Sequence, residues 1–560
     1  MLSILFLLLF GLQSSLANDF SHAVSLFYSP KYTPNFTNFA YVDVEAKKGG
    51  TMKFANDGGF NSLNNFLLKG IPADGLSHIY DTLAEASEDE LGVFYGLVAE
   101  SIKLQPNYIE FKLNKSAYFH DKQPITADDV VFTFVTLQKY GHPLYQLNLK
   151  QVAEVIKINQ HQIRFVFASQ HSRDLPIFIA SLPVLPKHYY LQHDFQQTSM
   201  IPPLGSGPYK IKEVKQNYRI IYERVADYWA KDLPINRGRH NFDTLQFDYY
   251  RDSTVLLEAF KAQAYDFRQE SVARNWANAY NIVAIDKGEI IKTEIEHNFP
   301  APMQAFVFNL RRQKFNDVAL RKAINYAFDF LWLKQHIFYG SYEKTKSFFA
   351  NSDFGKPDNN ISDGSIDGFN RQNLLLAQKI LLDAGYTIKE NQLFDKQNNK
   401  VELEFLIQSR VFEMIVAAFS KNLERLGIKV KIRLLEENQY QNRLNNFDFD
   451  IVVAVFPQSM VPGAELYSYF HSSQKDIKGS KNLIGLDDKK VDILVEQVAK
   501  SKNQKQIQQL CKQLDEYLLA NYFVVPQWYG KKYRILYRNI FAIPEIRPKY
   551  GLAIDSWYSK

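Results

Sequence analysis

The 560-residue chain sets 66 Lys and Arg against 60 Asp and Glu, a net charge of +6 that is small for its length and dispersed, so nucleic acid is not an expected partner. Its one cysteine, Cys511, excludes an internal disulfide and leaves packing to hold the fold. The length exceeds the ~250–300 residues at which one core stops growing, so at least two lobes are expected.

The chain opens on an apolar run, Leu2 to Leu12, with small residues at Ser15 and Ala17 that fit a signal-peptidase site, so residues 1–17 read as a signal peptide cleaved after Ala17. About eleven apolar residues are too few to span a bilayer, and no cysteine follows to take a lipid, so an exported, soluble protein is expected. Next, "GGTMKFANDGGFNSLNNF" reads as a strand entering a Gly/Asn-rich loop. Glycines there permit close backbone approach, which makes Phe60, Asn61 and Asn64 candidates for a pocket wall.

The stretch "AYFHDKQPITADDVVFTF" (Ala117 to Phe134) gathers His120, Asp121, Asp128 and Asp129, a group that invites a catalytic reading. Thr126 followed three residues later by Asp129, ahead of an apolar run, is the signature of a capping box. Asp128 and Asp129 then fall in the first helical turn, where the helix dipole favours their charge by about 0.3–1 kcal/mol each. His120 and Asp121 occupy the polar turn between the alternating segment "YIEFKL" (Tyr108 to Leu113) and that helix, so a strand-turn-helix scaffold accounts for all four groups.

The same stretch resembles the signature of the family 5 extracellular solute-binding proteins, "F-H-D-G-x-P-x-T-A-x-D-V-x-F", with Lys122 in place of the usual Gly, from which a different turn geometry is expected. The resemblance continues through "HAVSLFYSPKYTPNFTNFAYVDVEAKKGGTMKF", "LPVLPKHYY", "PLGSGPYKI", "YERVADYWAKDLPINRGRHNFD", "MQAFVFNLRR" and "VVPQWY", and narrows to the YejA-like branch. It implies an α/β, two-lobed periplasmic binding protein fold (class II, family 5) with an extra small accessory domain. It implies capture of oligopeptides or peptide-derived compounds of the microcin C type, without chemistry on the ligand and without a cofactor. The implied partners are the peptide ligand and an inner-membrane ABC permease and ATPase complex, with the protein itself a monomer in the periplasm. The expected division is lobe I from 18–82, 203–300 and 527–560, the accessory domain from 83–202, and lobe II from 301–526.

Further along, "GPYKIKEV", "YRIIYERV" and "LQFDYYR" alternate as strands that return to lobe I. In lobe II, "VELEFLI" (Val401 to Ile407) alternates as a strand, Met414, Phe419, Leu423 and Leu426 recur at helical spacing up to Gly427, and "IKVKIRLL" alternates again. Strand, helix and strand in ~35 residues is a βαβ unit with parallel strands. The apolar strand ending at Phe456 then aims its carboxyl end at "PQSMVPGAELYSYF", and ligands of open α/β sheets bind outside such ends. Gln458 and Ser459 stand where the resemblance places an aspartate for a peptide's amino group, with Glu465 a candidate substitute. Met303 and Gln304 at the head of "MQAFVFNLRR", Phe456, and Trp528 of "PQWY" complete the candidate ligand-binding set. No G-x-S-x-G, H-E-x-x-H or P-loop pattern occurs, and the twelve histidines are scattered. The alternatives to capture are an exported hydrolase of peptides or murein fragments, and a carrier of nickel or haem.

Overall fold

Alternation in "VELEFLI" buries Leu403 and Phe405 on one face of a strand, Glu402–Ile407, that lies inside the largest sheet of the molecule. The helix that follows, Arg410–Arg425, starts where Ser409 Oγ accepts the Val411 N–H at 3.2 Å. It stops before Gly427, whose φ of 80° lies in the left-handed region that favours glycine. The chain returns as Lys429–Leu434, parallel to the first strand, so the βαβ unit is present as expected. Ile451–Phe456 adds a parallel strand on the other side, then Met303–Phe308 and Val524–Pro526 extend the sheet antiparallel. Buried clusters cover both faces, one around Phe306, Phe405 and Phe419, the other around Met303, Val452 and the buried Cys511. Met414 departs from the expected stripe. Five residues before Phe419 place it about 140° around the helix, and it is 57% exposed while Ile415 and Val416 turn inward.

The computed structural model describes residues 19–358 and 362–560, so the expected leader and its cleavage after Ala17 lie outside the described residues. Lobe I is built on Thr51–Asp57, which pairs in parallel with Thr244–Tyr250 from Thr51 opposite Thr244, with Arg219–Arg224 and Tyr209–Lys215 continuing the sheet antiparallel. A second sheet joins Phe267–Gln269 and Ile290–Glu296 through Lys532–Arg538, so the C-terminal segment closes lobe I. The connecting runs between the lobes lie side by side, His297 N–H donating to Lys531 O at 3.1 Å.

The accessory segment forms an antiparallel sheet of Ala99–Gln105, Tyr108–Leu113, Gln162–Phe167 and Val152–Asn159. It has no separate core, because Ile109, Phe111 and Phe165 belong to the same buried cluster as Met52, Tyr222 and Trp557 of lobe I. Its helix, Ala127–Tyr140, carries the expected box: Thr126 N–H and Oγ1 both donate to Asp129 Oδ2, at 2.9 and 3.1 Å. Asp129 is nearly fully buried and its other oxygen accepts the Lys187 N–H at 3.0 Å, while Asp128 pairs with Lys157. His120 holds the neighbouring turn to lobe I, with its backbone N–H on Gly205 O at 2.8 Å and Nε2 2.9 Å from Gly207 O. The different turn geometry expected at Lys122 does not occur. Its φ of 70° is the conformation a glycine would supply, and its ammonium pairs with Asp227, 105 residues further along the chain. Among the described residues no helix is long and apolar enough to cross a membrane.

Candidate functional site

Strand Ile451–Phe456 delivers the run Pro457–Gly463 to the face of lobe II that meets lobe I. Pro457, Ser459 and Met460 are exposed there while Val461 anchors the run in the core. Glu465 begins the next short helix, Glu465–Phe470, and its carboxylate reaches back to accept the N–H groups of Ser459 (3.4 Å) and Gly463 (3.1 Å). Burial raises the Glu465 pKa. This geometry makes Glu465 the brace of its own loop.

Opposite lies a cavity of about 400 Å³ whose walls come from both lobes: Leu26–Tyr28, Glu88 and Tyr550 on one side, Ser459–Val461 on the other. A second hollow of about 640 Å³ adjoins it at Glu88, Phe299 and Tyr550 and is walled by lobe I together with Glu85 and Glu88 from the start of the accessory segment, with no residue of lobe II. Both fall within the roughly 300–1,000 Å³ usual for small-molecule sites.

The lobe I hollow is lined by charge. Arg239 is buried between Glu85 and Asp555, 2.6 Å from each, and Nη1 donates to Ile235 O at 2.9 Å. Burial works against the Arg239 charge, and the two carboxylates outweigh it, holding the guanidinium more basic than usual. Burial also works against Asp555, yet the Arg239 guanidinium holds its carboxyl below the ordinary range. Asp81 accepts Tyr228 Oη–H at 2.6 Å and Trp229 Nε1–H at 2.8 Å, and burial pushes its pKa up to about 7. Glu88, accepting the Ala553 N–H at 2.9 Å, is pushed up to about 7 by burial as well. Burial pushes the His78 and His240 imidazoles down, so both are neutral at pH 7. The wall therefore offers carboxylates, neutral imidazoles and the rings of Phe299, Tyr533 and Tyr550. Such a lining suits a polar, chain-like guest.

Comparison with known proteins gives the framework its place. The sequence profile described as bacterial extracellular solute-binding proteins, family 5 Middle, matches residues 93–477. The chain belongs to the family 5 bacterial extracellular solute-binding proteins. This solute-binding protein is 35% identical to YejA of Escherichia coli over 98% of its own length and 95% of the relative's. It is 34% identical to the probable peptide-binding protein YejA of Agrobacterium fabrum, over 94% and 92% of the two chains. Among solved structures, the oligopeptide-binding protein AppA of Bacillus subtilis in complex with a nonapeptide superposes with a TM-score of 0.65 at 21% identity, covering 92% of this chain and all of that one. The fold is thus the two-lobed periplasmic binding protein architecture.

Within the solute-binding protein the expected residues divide sharply. Ser459 lines the interlobe cavity and Gln458 stands beside it, with Nε2 3.4 Å from Phe456 O. Phe60, expected in the pocket wall, is instead fully buried against Tyr249. Asn61 and Asn64 serve loop architecture, with Asn61 Oδ1 accepting the Ile71 N–H and Asn64 Nδ2 donating to Phe195 O. Met303 and Phe456 face each other in register as core, Phe456 stacking on Phe470, and Gln304 ties Gln527 N–H to its own carbonyl. Trp528 joins neither the cavity nor the core of lobe I. It pairs with Lys344 in a short sheet of lobe II and packs on Phe338 and Phe412, with ring centroids 4.4 and 6.0 Å away. Sequence reasoning missed Glu88, Arg239, His240, Tyr550 and Asp555, although Arg239 and His240 sit inside the recognised phrase "YERVADYWAKDLPINRGRHNFD". Among the described residues no group of three or more His, Cys, Asp or Glu is arranged to hold a metal ion.

Proposed function

We propose that this protein is the periplasmic capture subunit of an ABC importer, closing its lobes on an oligopeptide or a peptide-derived compound and releasing it unchanged to a membrane permease. The observation that carries the proposal is the hollow walled by both lobes, with Leu26–Tyr28, Glu88 and Tyr550 facing Ser459–Val461. A chain-like guest lying there meets backbone from two sides, so it is held as an added strand would be, and side chains project into the adjoining lobe I hollow. Backbone contacts do not depend on sequence, so the expected specificity is broad. The relatives that support the reading are the probable peptide-binding YejA of Agrobacterium fabrum and AppA with its nonapeptide. In place of a carboxylate free to take an amino terminus, the lobe II loop presents Gln458 and Ser459, with Glu465 occupied by the loop itself. Amide and hydroxyl groups there take uncharged polar atoms of the ligand, which leaves room for peptides whose amino end is modified.

Isothermal titration calorimetry with a mixed tri- to hexapeptide pool tests the proposal. Binding heat and a rise in melting temperature are expected; at a hundred times Kd the linkage is about 2.7 kcal/mol. Mass spectrometry after denaturation should return the peptides intact. Absence of both heat and thermal shift overturns the peptide reading, and recovery of cleaved products converts it to hydrolysis.

A further inference from the structure

Arg173 sits in the turn between the accessory strand Gln162–Phe167 and the helix Leu175–Ala180, whose Leu175 and Ile179 belong to the lobe I cluster. Its side chain is only 8% exposed, yet what satisfies it comes largely from the other lobe. Nη2 donates to Val461 O at 3.1 Å and to Pro462 O at 3.0 Å, both on the lobe II loop that walls the interlobe cavity. Nε lies 3.3 Å from Oδ1 of the adjacent Asp174, Nη1 is buried with no partner among the described residues, and the guanidinium stacks 5.0 Å from the Phe27 ring. Phe27 itself packs on the lobe II core, and Tyr28 Oη accepts from Gln504 Nε2 at 2.7 Å, so the cavity-lining segment Leu26–Tyr28 crosses to lobe II at the same place. Room for the guanidinium depends on Gly463, since a Cβ there would lie 2.8 Å from Nη2.

A buried guanidinium is costly unless its hydrogen bonds are made. Here the two carbonyls that make them separate from Arg173 when the lobes part, and water takes over its solvation. The bonds therefore exist in one arrangement of the lobes and not in the other, which is the requirement for a group that biases the equilibrium between them. We propose that Arg173 is a positioning residue for ligand capture: it latches the Val461–Gly463 segment of the lobe II loop onto lobe I when the lobes close, and so sets how long a captured ligand stays. The effect on ligand residence rests on the proposed capture function; the effect on lobe closure does not.

Val283 and Ile493 are exposed, one on each lobe, and Cys511 is buried, so Val283→Cys and Ile493→Cys accept a donor–acceptor dye pair. Single-molecule energy transfer then reads the lobe separation with and without a tripeptide, and stopped flow reads koff. Hydrogen bonds to a charged group contribute about 1.5–3 kcal/mol, so Arg173→Ala should raise koff roughly tenfold or more and shift the ligand-free population towards the open form. Gly463→Ala, which must move the flexible end of the guanidinium from the lobe II side, should shift both readouts in the same direction by a smaller factor, and Arg173→Lys should recover part of the loss. If lobe separation and koff are unchanged while only the melting temperature falls, Arg173 is packing and the latch is overturned. Should Arg173→Ala fail to fold, Gly463→Ala, which keeps Arg173 and changes only a lobe II residue, decides the matter by the direction of the shift in koff and lobe separation. Should no peptide shift the unsubstituted protein, the capture reading fails, and the ligand-free lobe populations still decide the latch.

Discussion

The two walls of the cleft are made in opposite ways. The lobe II wall is one continuous run, Pro457 to Gly463, placed by the strand before it and braced by Glu465 two residues beyond it. The lobe I wall is assembled from chain-distant pieces, and the ion pair at its centre joins Arg239 to Asp555, 316 residues away. A wall made by one loop follows from local rules, whereas a wall made by distant charges exists only once the lobe has closed around them. The difference extends to energetics: the lobe II loop is held through its own backbone N–H and carbonyl groups, by Glu465 on one side and Arg173 on the other, while paired side-chain charges hold lobe I.

The largest effect expected from this contrast is at Arg239. Arg239→Ala leaves the partly buried carboxylates of Glu85 and Asp555 without their cation, and should lower the unfolding free energy by about 3 kcal/mol in a denaturant titration. A loss below about 1 kcal/mol would show that charge does not hold the lobe I wall. A smaller, pH-dependent effect sharpens the comparison at Glu88. Because burial raises its pKa from 4.5 to about 7, the folded protein holds this proton more tightly than the unfolded chain. The stability this confers is complete below about 4.5 and is lost as pH rises through about 7. Glu88→Gln should be neutral near pH 4 and stabilising by about 1 kcal/mol at pH 8, read from melting curves across pH. Asp81, raised to about 7 by the same cause, adds a slope of the same sign, so the dependence shrinks without vanishing. An equal gain at pH 4 and pH 8 would mean that ionisation is not the source. The smallest effect is at Lys122 in the accessory turn, where the left-handed backbone disfavours any side chain. Lys122→Gly should leave the melting temperature unchanged or slightly higher; a fall of several degrees would show that the exposed pair with Asp227 outweighs the backbone preference.

How far the fold was legible follows the same line. The capping box at Thr126 and Asp129, the βαβ unit from Val401 to Leu435 and the stop at Gly427 are local patterns, and each stands in the structure as its spacing implies. Met414 was misplaced because helical spacing defines a face only to within a residue or so. The Gly/Asn-rich loop misled for a different reason. Gly59 does permit close approach, but what approaches it is the protein's own Asn217 side chain, and Asn61 and Asn64 spend their amides on the backbone of Ile71 and Phe195. Trp528 likewise carried no local sign of which lobe it would pack in.

By itself the sequence determined the capped helix, the βαβ unit and the strand that ends at Phe456, because periodicity, caps and strand ends are set by residues a few positions apart, and its longer phrases carried the resemblance that implied the family and the two-lobed architecture. Only the tertiary structure decided which charges line the lobe I hollow, that the accessory sheet shares the core of lobe I, and that Arg173 reaches across to Val461 and Pro462. Those features rest on contacts between segments tens to hundreds of residues apart, and burial and pairing at such range have no signature in local spacing.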